Sequence, residues 1–298
     1  MSPSFSTALA APLSIVALVL LGSCKVTDVS DEEQSASLKP YSDHKIEGSA
    51  IEDYFSGRTA ILIGADGLEI NEEKEESSSG SSETRDISVR VKLDSGERME
   101  VGTAAAIDAR GYFVTAGHCL DGREIYALYT NKNKEVVIEK AHPVWVRASS
   151  LSEIDFALFR VDGDPFGTFK WAGSFKSEEA VFSAGTTVNV NRDEDPPFHF
   201  KTDSFAGVLK KSREVKFEKT KFQLIWHRSP VRRGNSGGPF VNEKGELLGV
   251  NYAATGSIRR AAGAEVTPTG LAIRPDQEWI RNLIEEDWAG REQLKSHP

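Results

Sequence analysis

Cysteine is almost missing from this chain: Cys24 and Cys119 are the only two among 298 residues. One disulfide is the most such a chain can form, so neither a disulfide framework nor a cysteine-rich metal site can organise it. Histidine does not fill the gap. Apart from His118, the histidines His44, His142, His199, His227 and His297 are scattered and read as structural or surface side chains, so no metal site is expected. Membrane-spanning runs are lacking too, since the apolar stretch Ala8 to Leu21 is shorter than the roughly 18 to 20 residues that cross a bilayer. Excess positive charge is absent. The net charge is −9, and no stretch interleaves basic with aromatic residues, which argues against phosphate binding as the main task and against nucleic acid as a partner.

What is present is enough apolar material, 39 % of residues with 25 glycines, for one sizeable core or two half-size ones. Short apolar runs recur between turn signals such as Asp94-Ser95-Gly96. Arg58 to Gly64 reads as a first barrel strand, and Ile87, Val89, Val91 and Leu93 alternate with polar residues as a second. Further runs are Met99 to Ile107, Tyr112 to Val114, Ile125 to Tyr129, Val136 to Ile138, Val144 to Val146 and Phe156 to Val161. After a linker near Asp162 to Lys176 come Val188 with Val190, Phe205 to Leu209, Val215 to Phe217, Phe222 to Trp226, Pro239 to Val241, Leu247 to Tyr252 and Leu271 to Ile273. Short strands with frequent turns imply an all-β barrel fold. An acidic, serine-rich insert over 71–86 reads as a surface loop. Trp279, Ile280, Leu283 and Ile284 recur at helical spacing behind Pro275, Asp276 and Glu278, so the chain is expected to close with a helix.

Three short segments carry the chemistry. Gly234-Asn235-Ser236-Gly237-Gly238-Pro239 surrounds a serine with glycines, which suit a tight turn whose Gly234 and Ser236 N–H groups face a developing oxyanion. Tyr112 to Cys119 runs a short apolar strand into a small-residue turn that carries His118. Glu153 to Phe159 sets Asp155 at the start of an apolar run, where burial beside a histidine N–H would satisfy it. Alone, a Gly/Ser turn or a core histidine is commonplace. Together, in the order His, Asp, Ser, these segments resemble those of the trypsin-like, chymotrypsin-fold serine peptidases, and the Asn235 form is similar to bacterial HtrA-type members.

The similarity covers about residues 58 to 285. It implies two six-stranded-type Greek-key β-barrels packed with the active site between them, plus a C-terminal helix. Residue by residue, it implies Ser236 as nucleophile, His118 as general base and then acid, and Asp155 as the carboxylate that fixes the imidazole tautomer. It implies no cofactor. In secreted digestive relatives an aspartate before the nucleophile pairs with a freshly cleaved N-terminal ammonium; Asn235 carries no charge and is expected to be satisfied by local hydrogen bonds, so no cleavage inside the domain should be needed. Relatives also bridge the cysteine that follows the histidine to the preceding strand, which here reads Gly102 to Ile107 without cysteine. Cys119 then reads as a buried small hydrophobe.

The same resemblance assigns Pro230 to the base of the primary specificity pocket and Gly249 to Ala253, with Val250, Asn251 and Tyr252, to the strand that binds substrate. No aspartate stands at Pro230 to pair with a cationic side chain, and Asn251 stands where glutamyl-specific relatives carry a histidine. Small or medium uncharged residues are the expected preference. Arg228, Arg232 and Arg233 near the serine would favour acidic residues or simply be solvated.

The first 24 residues carry no charged side chain and read as a signal peptide. Leu21-Gly22-Ser23-Cys24 resembles the bacterial lipobox, with Cys24 lipidated; an n-region without Lys or Arg departs from that pattern, and an ordinary cleaved secretory signal is the competing reading. Lys25 resembles the position that sends lipoproteins to an outer membrane. The expected organisation is a lipoprotein signal peptide at 1–23, a flexible polar tether at 24–53 and a peptidase domain at 54–298, without a PDZ domain. The expected partners are a protein or peptide substrate and a membrane reached through the Cys24 lipid, and the expected location is the bacterial cell envelope, in the periplasm or at the outer membrane, with secretion as the alternative. Two other classes stay open: a catalytically silent binding module on the same fold, and a structural envelope lipoprotein.

Overall fold

The computed structural model describes residues 54–64, 68–72, 87–91, 100–120, 124–148, 154–190, 198–232, 234–255 and 269–296. The signal peptide with Cys24, the 24–53 tether, residues 73–86 of the acidic insert and Arg233 lie outside them. Among the described residues the fold is all-β with a closing helix, in two halves.

The first half is a seven-stranded sheet of order β7-β6-β1-β4-β5-β9-β8. Its strands are β1 (Thr59–Gly64), β4 (Glu100–Asp108), β5 (Tyr112–Thr115), β6 (Ile125–Thr130), β7 (Val136–Lys140), β8 (His142–Arg147) and β9 (Phe156–Arg160). β7 and β8 lie on opposite edges yet only Ala141 separates them. Two Cα steps reach about 7 Å. The sheet must therefore curl until its edges meet, which makes it a barrel in shape. β5 lies between β4 and β9, so both its edges are paired, and all four of its residues are buried. β6 keeps the strict alternation of a strand with one face inward.

The second half closes fully, in the order β10-β11-β12-β15-β14-β13. Its strands are β10 (Ala180–Val190), β11 (Phe198–Phe217), β12 (Thr220–His227), β13 (Pro239–Asn242), β14 (Leu247–Thr255) and β15 (Thr269–Pro275), and β10 pairs with β13 to seal the ring. β11 is one strand of 20 residues where the apolar runs suggested two. Its middle, Lys210 to Glu214, is polar and is held by main-chain pairing to β12 without an inward apolar face.

The expected second strand of the first barrel is corrected. Ile87 to Leu93 does not form the second barrel strand: β3 (Ile87–Val91) pairs with β2 (Leu68–Glu72) in a separate two-stranded sheet, and Asn71 and Glu72, read as part of the insert, belong to β2. Alternating polarity marks a strand but not its partner.

The apolar residues form a core in each half and a third, larger cluster across them. Phe113 and Phe159 stack at 5.4 Å in the first barrel against the small residues Ala104 and Ala106 of β4. The second barrel buries Val181, Leu209, Ile225, Phe240 and Leu248. Phe156 of β9 and Phe222 of β12 meet at 5.8 Å in the shared cluster. The helix α1 (Gln277–Ser296) completes it. Asp276 caps α1, its Oδ1 accepting the Trp279 N–H at 2.9 Å. Ile280 and Ile284 are buried, and Trp279 meets Trp145 of β8 edge-on at 5.0 Å. A helix that follows the second barrel thus packs against the first, and Tyr112 Oη donates to Asp287 at 2.7 Å to tie it there.

Candidate active site

Strand register brings the first two residues together. β5 pairs with β9 antiparallel with Thr115 opposite Ala157, so the chain running on from Thr115 meets the chain arriving before Ala157. His118 stands in a 3-10 turn (Gly117–Leu120) just past β5, and Asp155 just before β9. The carboxylate grips the histidine twice: Oδ1 accepts the His118 main-chain N–H at 2.8 Å, and Oδ2 lies 2.6 Å from Nδ1. An ionised carboxylate only accepts, so the proton sits on Nδ1 and the lone pair on Nε2. Both side chains are mostly buried, 20 % and 13 % exposed. Gly117 permits the approach, because a Cβ there would strike the Arg147 carbonyl and the Asp155 carboxylate.

The serine turn comes from the second barrel, between β12 and β13. Asn235 N–H donates to Arg232 O at 3.1 Å, and Gly234 at the third position of that turn has φ +87°, a left-handed value that glycine accepts without strain. Ser236 is held through its own carbonyl, which accepts Thr103 N–H at 2.8 Å and lies 3.6 Å from Cys119 Sγ, the residue after His118. Thr103 Oγ1 donates to Gly234 O at 2.7 Å and accepts the Thr186 N–H at 2.8 Å. The first barrel therefore staples the turn at two places. Among the hydrogen bonds between described residues, none is made by the Gly234 or Ser236 N–H. Cys119 is partly buried and forms no disulfide among the described residues.

Asn235 differs from expectation. It is fully buried, yet neither atom of its carboxamide finds a hydrogen-bond partner among the described residues, so local bonds do not satisfy it. The side chain packs against Gly185, where even a Cβ would collide with it.

In the region assigned to substrate, Pro230 and Tyr252 are half-buried while Val250 and Asn251 are fully buried, so the latter two present only their main chain. Asn251 turns its side chain to His227 and Gly238 instead, with Oδ1 3.0 Å from His227 Nε2. His227, read as a structural or surface histidine, is fully buried; burial pushes it down to about 4, against a smaller upward effect of the Asn251 bond. Arg232 is exposed and lies over the Phe205 ring at 5.2 Å. Thr103 was not legible as a site residue, because nothing local marks it and its partner Gly234 is 131 residues away.

The trypsin-like peptidase domain family matches residues 102–250, half of the chain. A probable periplasmic serine endoprotease DegP-like of Marinomonas sp. (strain MWYL1) is 23 % identical over 200 residues, 65 % of this chain and 39 % of that protein. One from Pseudomonas putida (strain F1) is 27 % identical over 168 residues, 52 % of this chain and 29 % of that protein. The chain thus matches less than half the length of these curated relatives. Among solved structures, the HtrA-type protease AlgW with a decapeptide aligns with a TM-score of 0.50 at 16 % identity, over 80 % of this chain and 68 % of that one. Rv3671c from Mycobacterium tuberculosis H37Rv, in an inactive form, aligns with a TM-score of 0.50 at 14 % identity, over 85 % and 96 %. These two show a shared fold.

Proposed function

The chain belongs to the trypsin-like peptidases, and from that premise we propose that it is a serine endopeptidase in which Ser236, His118 and Asp155 hydrolyse peptide bonds through an acyl-enzyme. The observation that carries this reading is the double contact of Asp155 with His118, which leaves the Nε2 lone pair as the basic site. Ser236 Oγ attacks the scissile carbonyl carbon as its proton passes to His118 Nε2. The carbonyl oxygen, now negative, is met by the Gly234 and Ser236 N–H groups. His118 returns the proton to the leaving nitrogen, the C–N bond breaks, and the acyl group stays on Ser236. Water, deprotonated by the same imidazole, then cleaves the ester and frees the enzyme. No atom changes oxidation state along this route, and the nucleophile, the base and the oxyanion donors are all protein groups.

Substrate main chain would run along Val250, Asn251 and Tyr252 beside Pro230. With no carboxylate at Pro230, a cationic side chain gains nothing there, and small or medium uncharged residues are the preference. Digestion of a peptide library by wild type and Ser236→Ala, read by mass spectrometry, tests this. Serine-dependent cleavage after uncharged residues supports it; cleavage by both proteins alike contradicts it.

The envelope assignment rests on the sequence and on relatives named periplasmic. In this reading residues 1–23 are a lipoprotein signal peptide, Cys24 takes the lipid, and 24–53 tether the peptidase domain at 54–298. Metabolic labelling with a fatty-acid analogue should mark wild type and spare Cys24→Ala. An unlabelled wild type would remove the anchor from the account.

A further inference from the structure

His227 ends β12 fully buried, and no catalytic step uses it. Its ring stacks on Phe240 with centroids 4.3 Å apart and packs behind Gly270, whose Cβ position it fills. The hydrogen bonds around it decide its tautomer. Ser229 N–H donates to Nδ1 at 3.2 Å, so the lone pair is there and the proton is on Nε2. Nε2–H then donates to Asn251 Oδ1 at 3.0 Å. That contact fixes which way the carboxamide points, because the opposite orientation would set two donors face to face. Asn251 Nδ2 is left to donate to Gly238 O at 3.2 Å.

The main chain of Asn251 continues the connection. Its N–H donates to Gly238 O at 2.9 Å, and its carbonyl accepts the Gly237 N–H at 2.5 Å. Asn251 is therefore bonded to both glycines that follow Ser236, and His227 is what orients it.

We propose that His227 is a positioning residue for the nucleophile turn, acting through Asn251 to hold Gly237 and Gly238 and hence the placement of Ser236. The proposal rests on the reading of Ser236 as nucleophile. A residue here must accept on one side, donate on the other and lie flat on Phe240, and neutral imidazole meets all three conditions. Among the described residues, the groups that face it are Asn251, Ser229, Phe240, Gly270 and, across the strand pair, Leu209, and none of these carries a charge. Burial keeps the ring uncharged, at about 4, so the same pattern of donor and acceptor persists through neutral pH.

Two variants separate positioning from packing. His227→Phe keeps a stacking ring and loses both nitrogens, whereas His227→Gln keeps a donor within reach of Asn251. The readouts are amide hydrogen exchange at Gly237, compared with Phe113 in the first barrel, and the kinetics of peptide hydrolysis. In His227→Phe we expect exchange at Gly237 to rise and kcat to fall by about tenfold or more with KM within about twofold, since a buried acceptor and a buried donor are both left unpaired. His227→Gln should restore both to within about threefold. If His227→Phe does not fold, Asn251→Ala removes the same connection from its other end and should reproduce the Gly237 exchange change. Unchanged exchange and kcat in His227→Phe overturn the proposal, and so does a Gln variant as impaired as Phe. A wild type that cleaves no peptide would count against Ser236, while the exchange data would still decide whether His227 holds the turn.

Discussion

Thr103 Oγ1 donates to the Gly234 carbonyl at 2.7 Å, so a side chain of the first barrel holds the serine turn of the second. The same oxygen accepts the Thr186 N–H, and the Thr103 main-chain N–H binds Ser236 O. Thr103→Val keeps the shape and removes the hydroxyl, leaving a buried donor and a buried acceptor unpaired. Stability should fall by about 1–3 kcal/mol, read by urea unfolding. Peptidase kinetics should show the loss in kcat rather than in KM, because the turn and not the substrate strand is disturbed.

Asp155 is a second point of attack, since it orders His118 through both oxygens. Asp155→Asn preserves volume but offers an N–H to Nδ1, which favours the wrong tautomer. The expected loss in kcat is about 10³ to 10⁴-fold at neutral pH, with folding intact by circular dichroism. A loss below tenfold would separate Asp155 from the chemistry.

Much of the candidate site was legible in the sequence because each residue proposed for its chemistry lies in a short segment with its own local signature: a strand into a small-residue turn for His118, a carboxylate before an apolar strand for Asp155, glycines around Ser236. The all-β class was legible from recurring short strands, and the two-barrel arrangement only through the family resemblance. What was hidden has long-range causes. Thr103 and His227 look ordinary in their strands, and their partners Gly234 and Asn251 come close only after the barrels form. The middle of β11 was hidden by its polarity, and β3 by the fact that alternation does not name a partner strand.

Asn235 is fully buried without hydrogen-bond partners for its carboxamide among the described residues, so a charge there would be worse placed still. Asn235→Asp should lower the melting temperature at pH 7 and recover part of it as pH falls and the carboxyl is neutralised. A variant as stable as wild type at pH 7 would mean that a cation reaches this position.

His227 makes stability depend on pH. Its folded pKa, about 4, lies below the ordinary 6.5, so between these values the unfolded chain binds the extra proton and stability rises with pH. The group should cost about 3 kcal/mol as pH drops from 6.5 to 4. Urea unfolding at pH 7 and pH 4.5 should show a smaller difference in His227→Gln than in wild type.

Two kinds of contact hold α1 to the first barrel, and they differ in weight. Arg110 bonds Asp108 and Glu285, but Glu285 is 58 % exposed, whereas Ile280 is 2 % exposed in the shared core. Ile280→Ala should cost about 2–4 kcal/mol and Arg110→Ala about 1 kcal/mol or less, by urea unfolding. The reverse order would make the charge network the principal attachment.

The central claim is that Ser236 is a nucleophile activated by His118. Fluorophosphonate labelling of the protein lacking residues 1 to 24, beside Ser236→Ala and His118→Ala, measures it directly. The account predicts that wild type is labelled on Ser236 and that both variants are not. A folded wild type that takes no label, or a His118→Ala protein labelled as fast as wild type, would contradict it.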